Sequence, residues 1–160
     1  MIKFIYGNIL DFKKGIIIHQ VNCFTMGSGV AKAIYKKHPE VKRAHKMLVK
    51  SKSPNRNNNL LGSYQTVFID NELSVINMFT QYQFGNDGKR YTNYIAFTNT
   101  FSTLVSLAIS NSVDIAIPHL IGCGKGGGDW NRIYNIIETL SLDFPYDIYI
   151  YRLKEPKMKI

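Results

Sequence analysis

The chain has 160 residues and a mass of 18.3 kDa, and 45% of its residues are hydrophobic while 19% are charged. This balance is typical of one globular domain, and no apolar run reaches the roughly 20 residues that a membrane-spanning helix needs. Two cysteines are too few for a disulfide framework, and the N-terminus shows no signal-peptide pattern, so we expect free thiols and a cytoplasmic protein.

The formal net charge of +9 is unevenly distributed, and the excess lies mostly between Lys32 and Arg56. Such a stretch can attract nucleic acid or another polyanion. Its lysines, however, decorate a helical region without interleaved aromatic residues, which favours a solvated helix face. We therefore expect no nucleic-acid partner and no membrane contact.

The first part of the chain alternates between strand and helix patterns. Residues 2–6 and 15–21 are apolar strands, and the second is so continuously apolar that it must be covered on both faces. A helix follows over residues 29–37, and Pro39 suits the first position of another helix. Residues 51–59 form a polar loop with a proline and four asparagines.

The second part of the chain repeats this alternation. Residues 63–69 and 73–79 are predicted strands, either a β-hairpin or two neighbours in a sheet, and residues 80–94 are predicted to be irregular. The remaining predicted elements are a helix over 95–109, a strand over 113–117, a helix from Trp130 to about Leu142 and a strand over 147–153. The pattern is that of a mixed α/β domain with a central, mostly parallel sheet and helices on both faces. We assign residues 1–160 to one domain, with a frayed tail over 154–160.

Two strands are each followed by a glycine-rich loop and a helix. Five glycines lie between Gly122 and Gly128, and Asp129 stands where the N-cap of the next helix is expected. The other loop, Met26 to Ala31, follows the polar strand end His19 to Asn22. Glycine lets backbone N–H groups approach an anion closely, and open α/β sheets bind ligands at the carboxyl ends of their strands. We therefore expect one cleft that binds a phosphate-containing ligand.

Three motifs in the right order resemble the macro domain, an ADP-ribose-binding module. They are Gly7-Asn8-Ile9, then Val21-Asn22 with Met26-Gly27-Ser28-Gly29-Val30-Ala31, and lastly the segment from Ile117-Pro118 to Trp130. The resemblance implies a three-layer α/β/α fold. The glycine motifs look most like the branch that contains ADP-ribose-1″-phosphate phosphatases, their phage relatives and terminal ADP-ribose glycohydrolases.

The resemblance also implies roles for individual residues. Asn8 stands where the family has an Asp that accepts from the adenine amino group, Ile9 would line the adenine slot, and Asn22 would touch the distal ribose. Gln81 and Phe84 fall in a segment expected near the ligand. The expected ligand-binding residues are Asn8, Ile9, Asn22, Met26, Gly27, Ser28, Gly29, Val30, Pro118, Ile121, Gly122, Cys123, Gly124, Lys125, Gly126, Gly127 and Gly128.

Three departures from the family pattern argue against glycohydrolase chemistry. His19 stands where many macro domains have an asparagine. Gly126 stands about where the glycohydrolase branch places its catalytic aspartate, and Asp129 lies three residues later. The lysine nucleophile of that branch has no clear match.

The expected reaction is hydrolysis of ADP-ribose-1″-phosphate to ADP-ribose and phosphate by a monomeric enzyme. Loop amides would stabilise the spreading charge, His19 would act as base, acid or nucleophile, and Asp129 would orient a water molecule or His19. Both residues also have a purely structural interpretation: His19 as a hydrogen-bonded residue at a strand end, and Asp129 as a helix cap. No cluster has metal-ligand spacing, so we expect neither metal nor other cofactor. Hydrolysis of ADP-ribosyl esters or related conjugates, and non-catalytic reading or sequestering of ADP-ribose, remain alternatives.

Overall fold

A six-stranded sheet organises the computed structural model, which describes residues 1–24, 27, 29–52 and 60–153. Its strands are β1 (Ile2–Tyr6), β2 (Gly15–Asn22), β3 (Ser63–Phe68), β4 (Leu73–Gln81), β5 (Ile115–Pro118) and β6 (Ile148–Arg152). They lie in the order β1-β6-β5-β2-β4-β3. Among the described strands, only β3 and β4 pair antiparallel, through the turn that Asp70 closes by accepting from the N–H groups of Glu72 and Leu73. The predicted mixed, mostly parallel sheet is confirmed.

Helices cover both faces of this sheet and make the fold three layers deep. They are α1 (Val30–Lys37), α2 (Pro39–Lys52), α3 (Tyr94–Asn111) and α4 (Trp130–Leu140), with a short 3₁₀ helix at Ile9–Asp11. The side chains of Ile16 and Ile18 pack in a buried cluster with α3 and α4, whereas Ile17 packs in a second cluster with α1. This two-sided burial explains why β2 is apolar at nearly every position.

Several boundaries differ from the sequence prediction for local reasons. Strand β4 continues to Gln81, because Thr80 and Gln81 join a polar hydrogen-bond network instead of leaving the sheet. Helix α3 begins at Tyr94, where Asn93 caps it by accepting from the Ala96 N–H group. Strand β5 begins at Ile115 instead of Val113, because the Val113 N–H group still donates to the end of α3.

The predicted polar loop lies partly, and the predicted tail entirely, outside the described residues. Ser51 and Lys52 belong to α2, and residues 53–59 lie outside the described residues, as does the tail over 154–160. In the described ranges no helix is both long enough and apolar enough to cross a membrane.

Candidate functional site

A cleft of about 550 Å³ opens at the carboxyl ends of β2, β4 and β5. Its volume falls within the roughly 300–1,000 Å³ of ordinary small-molecule sites. It is lined by His19, Gln20, Val21, Asn22, Gly29, Val30, Ala31, Gln81, Phe84, Gly85, Asn86, Pro118, His119, Leu120, Ile121, Gly122, Gly124, Lys125 and Gly126. Both glycine loops therefore contribute to one cavity.

Most of the expected ligand-binding residues line this cleft, but several do not. Asn8 caps the 3₁₀ helix by accepting from the Leu10 N–H group, and Ile9 is buried in the cluster on which the cleft residue Val30 packs. The others outside the lining are Gly27, Cys123, Gly127, Gly128 and the candidate catalytic residue Asp129. Met26 and Ser28 lie outside the described residues. The binding roles of all these residues stay predictions.

His19 is fixed at the end of a chain of buried amide groups. The Gln65 amide donates to the Ala44 carbonyl at 2.9 Å, and the Gln65 side-chain oxygen accepts from the Asn77 amide at 3.1 Å. The Asn77 oxygen then lies 2.6 Å from His19 Nε2. Because that oxygen can only accept, His19 carries its proton on Nε2 and presents a bare lone pair on Nδ1.

The Nδ1 atom of His19 is buried and has no hydrogen-bond partner within the described ranges. His19 is 1% exposed, and burial lowers its pKa to about 4, with the neighbouring His45 adding to the effect against the Asn77 hydrogen bond. The ring is therefore neutral at pH 7 and has no second proton to give. An unpaired buried acceptor costs about 1–3 kcal/mol, so a donor from a ligand or a water molecule would be favoured there.

A second buried chain of hydrogen bonds positions Asn22. The Tyr35 hydroxyl lies 2.5 Å from His45 Nδ1, and His45 Nε2 donates to the Asn22 carbonyl oxygen at 3.0 Å. The Asn22 side-chain oxygen accepts from the Phe24 N–H group at 2.7 Å. Burial is the main cause that lowers the pKa of His45, so this link is also neutral near pH 7. The expected ribose-contacting residue is thus held from both its backbone and its side chain.

Gln20 connects β2 and β4 to the main glycine loop, a role that the sequence analysis missed. Its amide nitrogen donates to Gln81 at 3.1 Å and to the Thr92 hydroxyl at 2.9 Å, and its oxygen accepts from Thr80. The Thr92 hydroxyl donates in turn to the Gly122 carbonyl at 2.7 Å. A glutamine at the polar end of an otherwise apolar strand was the available signal, because a partly buried amide needs hydrogen-bond partners.

The main glycine loop leaves three consecutive amides for a ligand. Inside the loop, the N–H groups of Gly127 and Gly128 donate to Gly124 and Gly122. In the described part of the chain, the N–H groups of Gly124, Lys125 and Gly126 donate to no protein acceptor, and all three residues line the cleft. Successive free backbone N–H groups form a concave site that suits a phosphate oxygen.

Asp129 is exposed and caps α4, where its side chain accepts from the Asn131 N–H group at 2.9 Å. Its own N–H group donates to the Tyr94 hydroxyl at 2.9 Å. The geometry supports its structural role, and its catalytic role stays a prediction.

His119 also lines the cleft, where its ring packs edge-on against Trp130 with centroids 4.9 Å apart. Burial, followed by the charge of Arg152, lowers the pKa of His119. The sequence offered only its position after the strand end as a signal. Among the described residues, no group of three or more His, Cys, Asp or Glu side chains could hold a metal ion.

Comparison with known sequences finds a relative in a bacteriophage. No family model matches the chain. The "Uncharacterized 17.5 kDa protein in tk-vs intergenic region" of Enterobacteria phage T4 is 32% identical over 149 residues, which cover 88% of this chain and 90% of the phage protein.

Solved structures match over almost the whole chain. A protein of unknown function from Bacteroides thetaiotaomicron is 26% identical with a TM-score of 0.83, and 96% of this chain and 98% of that one are covered. A macrodomain protein from Streptomyces coelicolor has a TM-score of 0.79 at 19% identity, with 96% and 100% covered. Thermosipho africanus DarTG, solved in complex with ADP-ribose, has a TM-score of 0.75 at 16% identity, with 99% of this chain and 42% of that chain covered.

Proposed function

Since the chain has the macro domain fold and belongs to the same family as the T4 phage protein, we propose that it binds ADP-ribose in the cleft and hydrolyses a derivative substituted at C1″ of the distal ribose. ADP-ribose-1″-phosphate is the first substrate to test. The observation that carries the proposal is the row of free amides at Gly124, Lys125 and Gly126 in the lining of the cleft.

The cleft offers a distinct partner to each part of this ligand. The loop amides supply donors for phosphate oxygens, and Lys125 adds a positive charge to the cleft wall. Asn22, held by His45 and Phe24, presents its side chain to the distal ribose. Asn8 and Ile9 would hold the adenine beyond the described lining.

Hydrolysis of the 1″-phosphate would proceed through attack of water on phosphorus. The bond between phosphorus and the C1″ oxygen breaks, and that oxygen takes up a proton, so the products are ADP-ribose and inorganic phosphate. The loop amides would stabilise the charge that spreads over the phosphate oxygens, and this needs no metal ion. With a pKa of about 4, His19 is a weak base, so its role would be to hold the end of β2 beside the cleft through its hydrogen bond to Asn77.

One observation favours a non-catalytic ADP-ribose reader as the second candidate. The described residues that line the cleft include no aspartate or glutamate. A carboxylate general base would therefore have to come from outside that lining, as Asp129 would.

The deciding experiment measures phosphate release from ADP-ribose-1″-phosphate with and without EDTA. We expect turnover that survives EDTA, falls in His19→Ala and is partly retained in His19→Asn, whose amide can still donate to Asn77. Calorimetry with ADP-ribose runs alongside. ADP-ribose binding without phosphate release would favour a non-catalytic reader or a different C1″ derivative as substrate. If the protein neither binds ADP-ribose nor releases phosphate, the proposal is wrong.

A further inference from the structure

Three aromatic side chains form an exposed patch at one rim of the cleft. Phe24, Tyr82 and Phe84 are 37%, 37% and 43% exposed, and we call them the aromatic rim. The Phe24 ring meets Tyr82 edge-on at 5.6 Å and Phe84 edge-on at 6.1 Å, measured between ring centroids. A single exposed aromatic residue is ordinary, whereas here one ring contacts two others on the surface.

The aromatic rim is attached directly to the functional cleft. Phe84 lines the cavity itself. The Phe24 N–H group donates to the Asn22 side chain at 2.7 Å, and the Cys23 N–H group donates to the Tyr82 carbonyl at 3.1 Å. The rim is thus held at the carboxyl ends of β2 and β4, next to the residue assigned to the distal ribose.

The order of the strands sets which end of the ligand meets the rim. The adenine residues follow β1, whereas β6 and β5 separate β1 from β2. A ligand that runs from β1 to Asn22 therefore ends its ADP-ribose portion at β2, with the rim on the β4 side. This step rests on the proposed function, and it places a substituent on C1″ against the aromatic rim.

We propose that the aromatic rim is a subsite for a flat aromatic or heteroaromatic group attached to C1″ of the distal ribose. Aromatic rings pair favourably in edge-on and offset arrangements, and their negative faces attract cationic rings. A phosphate monoester gains nothing from these faces and depends instead on the loop amides of Gly124, Lys125 and Gly126. The rim therefore adds affinity for aromatic C1″ conjugates without excluding the phosphate monoester.

The test compares binding of ADP-ribose and NAD⁺ by calorimetry, because NAD⁺ is ADP-ribose with a flat pyridinium ring on C1″. The measured quantity is the ratio of the two affinities, which cancels any general effect on the cleft. Phe84→Ala and Tyr82→Ala should each lower the affinity for NAD⁺ relative to the affinity for ADP-ribose by roughly three- to tenfold. Phe68→Ala is the matched control, because Phe68 is an aromatic residue on β3 that is 78% exposed and does not line the cleft.

The possible outcomes distinguish failure of the proposed subsite from failure of the proposed function. An equal ratio in wild type, rim variants and control, with ADP-ribose still bound, overturns the subsite and leaves the proposed function intact. The same holds if NAD⁺ does not bind at all while ADP-ribose does. If neither compound binds to the wild-type protein, the proposed function fails and the subsite fails with it.

Discussion

At the scale of single residues, the cleft depends on side chains whose protonation is fixed by burial. The amides of Asn77 and Gln65 determine which ring nitrogen of His19 carries the proton. The pKa of about 4 means that the folded protein resists protonation of this ring, whereas the unfolded chain takes up the proton near pH 6.5. Burial of His19 therefore links stability to pH.

The sign of this linkage gives the first prediction. The unfolded state binds the extra proton first, so the contribution of His19 is complete above about pH 6.5 and is lost as the pH falls towards 4. Relative to His19→Asn, the wild-type free energy of unfolding should drop by about 3 kcal/mol between pH 7 and pH 4. Urea unfolding at several pH values measures both proteins, and parallel pH profiles would show that His19 is not buried in its neutral form.

The residues that the motifs identified and those that they missed differ in a physical way. Asn22, Gly122 and Gly126 could be assigned to the cleft from the sequence, because a polar strand end and a glycine-rich loop are local patterns. Gln20 and His119 could not, because their roles depend on partners more than 30 residues away or on another element. A sequence motif reports only the local backbone conformation. A network of side chains depends on which strands are neighbours in the folded sheet.

At the scale of elements, two glycines in the main loop differ in the room that they leave for a side chain. A Cβ atom on Gly126 would lie 2.6 Å from the Thr92 hydroxyl and 2.7 Å from the Gly122 carbonyl, whereas a Cβ atom on Gly124 would meet nothing within 4 Å. Gly126 is therefore required by the packing of the loop against Thr92 and Gln20.

Substitution of these two glycines by alanine gives the second prediction. Gly126→Ala should lower the free energy of unfolding by roughly 1–3 kcal/mol, since the loop must move away from Thr92. It should also weaken ADP-ribose binding, because the free amides shift with the loop. Gly124→Ala should change the free energy of unfolding by less than about 0.5 kcal/mol. Urea unfolding and calorimetry on the pair measure both effects, and equal losses of stability would contradict this account of the loop.

Helix α4 provides the third prediction, because its cap and the candidate catalyst are the same side chain. Asp129→Ala removes the cap and should cost about 1 kcal/mol of stability, whereas Asp129→Asn retains an acceptor for the Asn131 N–H group and should cost little. Asp129→Asn nevertheless removes the carboxylate. Full phosphate release by Asp129→Asn would make Asp129 a cap alone, and loss of turnover with unchanged stability would make it catalytic as well.

The sequence predicted the elements of the fold better than their ends. The hydrophobic periodicity of the sequence identified the six strands and four α-helices of the described residues, because burial on one or both faces imposes a repeat over many residues. Ends such as Gln81 and Ile115 depend on single hydrogen bonds to other elements. Phe84 was expected near the ligand and lines the cleft, but the rim as a whole was missed, since Phe24 and Tyr82 become neighbours only through the pairing of β2 with β4.

At the scale of the whole molecule, charge and ligand site are on different parts of the protein. The net charge of +9 comes largely from lysines in the stretch that contains α2, while the cleft lies at the carboxyl ends of the central strands. The buried face of α2 contributes His45 to the hydrogen bonds behind Asn22, so its lysines decorate the opposite, solvated side. The absence of interleaved aromatic residues among these lysines is the reason why the sequence predicts no nucleic-acid partner.

The fourth prediction tests that separation through ligand-linked stability. A ligand that binds only the folded protein at a concentration of 100 times its Kd adds about 2.7 kcal/mol to the free energy of unfolding. For a chain of this size, ADP-ribose at that concentration should therefore raise the melting temperature by roughly 5–10 °C. A single-stranded oligonucleotide at about 150 mM salt should raise it by much less, because the lysine-rich face offers charge without a stacking surface. A melting temperature raised by the oligonucleotide and lowered again by salt, with no effect of ADP-ribose, would move the function from the cleft to the basic face.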